Sequence, residues 1–393
     1  MLHRCNNDWR ESLDVTVTPL TISAFFGKMW HAACFEARLK NAFRDQRSRE
    51  MNLASFQTSA RPLCDSSDGV DLAATNSVPI DLIHRDEAPS GSSTYSHTWT
   101  TIVIAALYSP ATWALIVAVG LVDWVWLRNS RLSFGGWRDV GYIIVFMWAL
   151  GVLGSIRGIA KLADLGHHLA MWVAFLAVNI VFTYLWATLP MPLHDAAFAR
   201  INTALGFNWS AWYLWILART WPRTLLSAAY DSLLLQILGS VSYLALTDRP
   251  DRNRELLWTV MLSALCSAVV SGLLPAIGPF IPGSPPPFSV ALVALRSGTL
   301  SHIDVSELKG IVTMPSFHTT LAILFTYAHR PPSRSFIPVL MLNLVMLIAI
   351  PFAGHHYVID MLAGAALAAV SIAMVRAAGF AASPSLASTA PSS

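Results

Sequence analysis

Two short stretches hold most of the residues that could do chemistry. "GIVTMPSFHTTLAILF" (Gly310 to Phe325) sets Pro315, Ser316 and His318 directly before an apolar run. "AGHHYVIDMLAG" (Ala353 to Gly364) brings His355, His356 and Asp360 in a similar place. A helix that starts near Pro315 and Ser316, with Pro in its first turn, leaves its first N–H groups unpaired and turns its positive dipole end outward. Such an end takes anions, phosphate above all. His318 would stand in that first turn. His356 and Asp360 are four apart, hence expected on one helical face. The carboxylate would fix the imidazole tautomer and stabilise the imidazolium, leaving the other nitrogen free to attack. His355 faces Ile359 in that spacing and gains no such partner. Two histidines and a carboxylate also suit a metal, but a phosphate-binding helix end with nearby cations suits an anionic substrate better. Those cations are Arg296 and Lys309; Asp304 and Glu307 lie between them and would alternatively pair with them. The spacing therefore assigns catalytic chemistry to His318, His356 and Asp360, with Ser316, Arg296, Lys309 and His355 as phosphate-binding candidates.

These residues need a frame, and the composition supplies one. The chain has 393 residues, 54% hydrophobic and 12% charged, with a mean hydropathy of +0.51. Soluble domains carry about twice that charged fraction. From Leu256 to Leu295, from Ser335 to Ile359 and from Met361 to Val375 there is no Asp, Glu, Lys or Arg. Runs of this kind approach or exceed the roughly 20 residues of a membrane-crossing helix. The fold class expected is all-α and polytopic. A net charge of +3 is too small to argue for nucleic acid. The four cysteines (Cys5, Cys34, Cys64 and Cys266) have no metal-ligand or disulfide spacing, and Cys266 lies in an apolar run. The start of the chain is polar and reads as no signal peptide.

Eight spans are expected, at about 100–127, 140–157, 167–189, 225–247, 256–277, 315–329, 336–354 and 358–378. Residues 1–98 read as a poorly ordered cytoplasmic extension, 99–160 as two accessory spans, 161–380 as a six-helix catalytic domain and 381–393 as a disordered tail. Arginines in "TDRPDRNRE" (Thr247 to Glu255) and "HRPPSRS" (His329 to Ser335) put those turns in the cytoplasm. Alternation then places Arg128, Arg131 and Arg138 outside, against that rule. The two crossings after His318 return the chain to the same face at His356. Trp209, Trp212 and Trp215, three apart, read either as an interfacial helix or as packed aromatics. Asp231 and Gln236, within the fourth span, read as structural partners rather than pathway residues.

At these residues the chain resembles the type-2 phosphatidic acid phosphatase superfamily. Its signatures are K-x6-R-P, P-S-G-H and S-R-x5-H-x3-D. "PSFH" (Pro315 to His318) is similar to the second, with Phe317 for glycine, and "HYVID" (His356 to Asp360) to the end of the third. The similarity covers about residues 165–380 and is greatest to the branch of inositol phosphorylceramide synthases. It implies a six-helix core and metal-independent chemistry without a cofactor. By the same resemblance His356 forms a phosphohistidine, Asp360 orients it and His318 protonates the leaving alcohol. A lipid phosphate is the implied substrate, at the periplasmic face of a bacterial inner membrane. Ser289 and Ser297 stand where the first signature has Lys and Pro, and Ile350 where the third has Arg. The alternative reading is a transporter or non-catalytic lipid-binding membrane protein, but no internal repeat is visible and the titratable cluster lies at helix mouths.

Overall fold

The computed structural model describes residues 109–379, apart from 284, 306, 307 and 309. The expectations for residues 1–98, for the tail and for Lys309 fall outside the described residues. The described chain is built of helices, with one small pair of strands. Two long helices come first, α1 (Pro110–Arg128) and α2 (Trp137–Ile156), joined through a short strand β1 (Ser133–Gly135). The 28-residue α3 (Ala160–Ala187) follows. Next come α4 (Asp195–Ala204), α5 (Trp209–Leu217), α6 (Thr220–Asp231) and α7 (Leu233–Leu246). After α8 (Pro250–Leu273) lie α9 (Pro287–Arg296) and the strand β2 (His302–Asp304). Helices α10 (Phe317–Ala328), α11 (Phe336–Ala353) and α12 (Val358–Ala377) complete the bundle.

Among the described residues six helices are long and apolar enough to cross a membrane: α1, α2, α3, α8, α11 and α12. The protein is an all-α integral membrane protein. Helices α6 and α7 make a seventh span only if taken together, since they bend by 49° at Ser232. The fourth expected span is thus a broken one. The sixth expected span, 315–329, is a helix of only 12 residues. At 1.5 Å per residue it covers about 18 Å, well short of a bilayer core. Its start is instead buried in the bundle, where Ser316 has no exposed surface.

The core lies where α3, α8, α10 and α12 meet. Trp172, Phe175, Leu256, Leu257, Met261, Leu321, Leu324 and Phe325 are almost wholly buried there. Outward-facing Val117, Tyr142, Phe146, Ile337 and Leu362 remain exposed, as suits helices whose solvent is lipid.

The strands β1 and β2 pair in parallel, Phe134 opposite Ile303. Leu132 and Ile303 share an apolar cluster with Leu185, Leu292 and Ile311. The turn carrying Arg131 and Arg138 therefore lies at the same end as residues 302–304, as alternation requires. The other end gathers different arginines. Arg252 donates to the carbonyls of Arg330 (2.5 Å) and Pro331 (3.2 Å), and Arg249 to that of Pro332 (2.6 Å). Arg330 pairs with Glu255 at 2.6 Å. The loops expected to share one face do so, although Asp251 to Glu255 are already the first turns of α8.

Candidate active site

Helices α10 and α12 enter the site side by side. The Ser316 N–H donates to the Asp360 carbonyl at 2.8 Å, and the Thr320 hydroxyl donates to the Gly364 carbonyl at 2.9 Å. A side chain at Gly364 would strike the Ser316 carbonyl oxygen. That glycine is what lets the two helix starts touch.

Ser316 is the N-cap of α10, its hydroxyl accepting from the Thr319 N–H at 3.4 Å. Pro315 therefore precedes the cap and is outside the first turn where the sequence reading put it; the side chain that ends the helix belongs to Ser316. The N–H groups of Phe317 and His318 have no intrahelical acceptor. The start of α12 is spent differently. Asn202 Oδ1 accepts from the Val358 N–H at 2.9 Å, and Asp360 Oδ2 from the Tyr357 N–H at 2.9 Å.

That last contact changes how His356 meets Asp360. Helix α12 begins only at Val358, after the N-cap Tyr357, so the two residues do not share a helical face as the spacing predicts. Asp360 folds back to cap its own helix, and His356, in the connecting segment, meets it there. His356 Nδ1 stands 3.4 Å from Asp360 Oδ2, with both side chains buried. The contact is close but off hydrogen-bond alignment, and Nδ1 and Asp360 Oδ1 have no other partner. With Nδ1 turned to the carboxylate, Nε2 is the nitrogen left for the cavity.

His318 and His356 line one cavity of about 560 Å³. The His318 ring lies flat on Tyr230, centroids 3.9 Å apart. Gly354 keeps this space open, since a Cβ there would come within 2.9 Å of the Tyr230 hydroxyl and 2.6 Å of the His356 ring. Among the described residues the cavity lining holds no Lys or Arg. Arg296, expected to clamp phosphate, donates through Nη2 to the Met191 carbonyl, and its Nη1 is buried without a partner. It is not brought to the cavity wall.

His355 also goes elsewhere. It adopts a positive φ of 51°, places Nδ1 3.1 Å from the Pro279 carbonyl, and sits among Trp209, Tyr213 and Phe288. Burial, and then neighbouring His356, hold its imidazole below the ordinary range, against the pull of the Pro279 carbonyl. Gly278, whose Cβ would strike the His355 carbonyl, admits this turn. The tryptophan segment divides between its two readings. Trp209 is buried and donates to the Pro351 carbonyl at 2.6 Å, whereas Trp215 is 47% exposed. Gln236 is buried, its amide donating to Ser232 Oγ at 3.0 Å.

Tyr230, Asn202, Gly354 and Gly364 support the site without having been singled out from sequence. The glycines flank the histidine motif, a legible signal for close approach; Tyr230 and Asn202 carry none.

Residues 196–374 match the PAP2 superfamily. The PAP2 superfamily segment begins within α4 and ends within α12, so it includes both histidines and Asp360 but leaves α3 outside. The resemblance expected over 165–380 is thus narrower at its N-terminal edge. No curated protein and no solved structure matches the chain. Among the described residues no group of three or more His, Cys, Asp or Glu side chains could hold a metal ion.

Proposed function

We propose that this protein is a lipid phosphatase or phosphotransferase that works through a phosphohistidine on His356. The observation that carries the reading is the convergence of His318 and His356 on one cavity, with Asp360 at 3.4 Å from the Nδ1 of His356. The match of residues 196–374 to the PAP2 superfamily supports phosphoester chemistry of this general kind.

In this mechanism the phosphoryl group lies before the first turn of α10, where the Phe317 and His318 N–H groups and the helix dipole offset its charge. Nε2 of His356 attacks phosphorus as the ester P–O bond breaks. Asp360 stabilises the cationic imidazole through Nδ1–H. His318 gives its proton to the departing alkoxide, then takes one from water or a second alcohol as that oxygen displaces the imidazole. Water completes hydrolysis; an alcohol completes transfer, the reaction of an inositolphosphotransferase-like enzyme. The turns held together by Arg249, Arg252 and Arg330 favour a cytoplasmic position for the opposite end. The active site would then open on the outer face of an inner membrane.

The test is turnover of a panel of lipid phosphates by purified protein in detergent, followed by quenching in alkali, where the P–N bond of phosphohistidine survives, and mass mapping of the labelled residue. Label on His356, absent from His356→Ala, is the expected result. Full turnover by His356→Ala ends the reading.

A further inference from the structure

The cavity of the two histidines extends past them to the facing walls of α3 and α8, where Asn179, Thr183 and Ser267 line it. Much of the remaining wall is apolar, with Leu176, Ile180, Ile237 and Ala264. Ser267 is 2% exposed and its hydroxyl has no partner; Asn179 Oδ1 is buried and has none either. Thr183 differs, since its hydroxyl is satisfied by the Asn179 carbonyl at 2.7 Å.

Buried polar atoms in protein interiors are nearly always paired, and in membrane helices they mark function. An amide oxygen only accepts, and a serine hydroxyl does either. Asn179 Oδ1 therefore lacks a donor and Ser267 Oγ a partner of either kind; a hydroxyl group meets both needs and is small enough for an otherwise apolar pocket. Both atoms are neutral, which suits a hydroxyl better than an ammonium group. The only carboxylate among the described lining residues is Asp231, at the α6–α7 break. Asn179 belongs to α3, outside the segment that matches the PAP2 superfamily, whereas Ser267 on α8 lies inside it.

We propose that Asn179 and Ser267 form a subsite that reads hydroxyl groups on the alcohol moiety of the phosphoester. The inference rests on the phosphohistidine reading above and deepens it, by assigning the cavity a hydroxylated alcohol rather than a plain alkyl one. One end of the substrate meets His356 and the first turn of α10. The alcohol that leaves or accepts the phosphoryl group turns toward α3 and α8, its hydroxyls donating to Asn179 Oδ1 and exchanging a hydrogen bond with Ser267 Oγ.

Three phosphoesters with the same alkyl chain separate the alternatives: one of a simple alcohol, one of a polyol and one of an amino alcohol. Their kcat/KM values are compared within one preparation of the full-length protein, so the folded fraction cancels from each ratio. For the wild type the polyol ester should exceed the simple ester by about a hundredfold, two neutral hydrogen bonds at about tenfold each. Asn179→Leu and Ser267→Ala should each lower that ratio about tenfold, the size of one neutral hydrogen bond. If Asn179→Leu does not accumulate, Ser267→Ala carries the same expectation alone. A wild-type ratio near one, a ratio unchanged in the variants, or a preference confined to the amino alcohol overturns the subsite while leaving phosphohistidine chemistry intact. No turnover of any ester together with no trapped phosphohistidine brings down both.

Discussion

Among the described residues two histidine–carboxylate pairs have the same spacing and opposite characters. On α3, His168 Nδ1 stands 3.0 Å from Asp164 Oδ1, well inside hydrogen-bond range. Asn253 of α8 donates to the other oxygen at 3.1 Å. Both residues belong to the packed interior near the arginine-rich end. His356 and Asp360 are four apart as well, yet lie 3.4 Å apart at a helix entrance, and His356 faces a cavity. In the first pair both carboxylate oxygens are held and both side chains are buried. The second is held by a helix cap on one side and open on the other. A histidine four residues from an aspartate is thus no sign of chemistry until the free nitrogen has a space to face.

Substitutions can break or sharpen that contrast. With His356 as the proposed nucleophile, His356→Ala should lower turnover by about ten thousandfold. His168→Ala should keep the kcat of whatever protein folds. The contrast fails if the two variants lose similar kcat in a detergent assay corrected for the folded fraction. Asp164→Asn should cost stability instead, about 3 kcal/mol for one side of a buried pair removed, read as a lower midpoint of thermal unfolding. Gly364→Ala should act on both measures, since its methyl group would force α10 from α12. A loss of about 1–3 kcal/mol with reduced kcat is expected, and wild-type values in both assays would show that the helix starts need not touch.

The arginine end also predicts a pH dependence. His329, at the end of α10, is pushed down from 6.5 to about 4, first by burial and then by Arg252 and Arg249. Its nitrogens meet Ser335 Oγ at 2.6 Å and Ser240 Oγ at 3.1 Å. Between pH 6.5 and 4 the unfolded chain binds a proton that the folded one refuses. The stability from this neutral histidine is complete above pH 6.5 and is lost as the pH falls toward 4. Melting midpoints measured from pH 7.5 to about pH 5 should fall, and His329→Gln should flatten part of the slope. The smallest effect is expected at Trp215, whose ring is half exposed beside Arg219. Trp215→Ala should shift stability by no more than about 0.5 kcal/mol, whereas Trp209→Ala, which loses the bond to Pro351, should cost several times that.

The helices were legible because lipid imposes a coarse rule: long apolar runs with charges at their ends. Helices α11 and α12 fall within a residue or two of expectation on that ground alone. The strand pair β1–β2 and the break at Ser232 were not, because three-residue strands and a bend between two apolar helices leave no period to read. His318, His356 and Asp360 were legible as types and as neighbours on one face of the bundle. The manner of their meeting was not. Spacing pointed to a shared helical face, while the structure lets Asp360 cap Tyr357 and brings His356 in from outside the helix.

Sequence by itself determined that this chain carries the long apolar helices of a membrane protein, since hydropathy depends on local composition; it overcounted the spans, because α10 is too short to be a full crossing. Tertiary structure decided which histidine–carboxylate pair is open, that Arg296 turns to the Met191 carbonyl, and that Asn179 and Ser267 look into the same space as His356. Those outcomes depend on how closely helices approach and where room is left between them, and that is set by contacts among residues far apart in the chain.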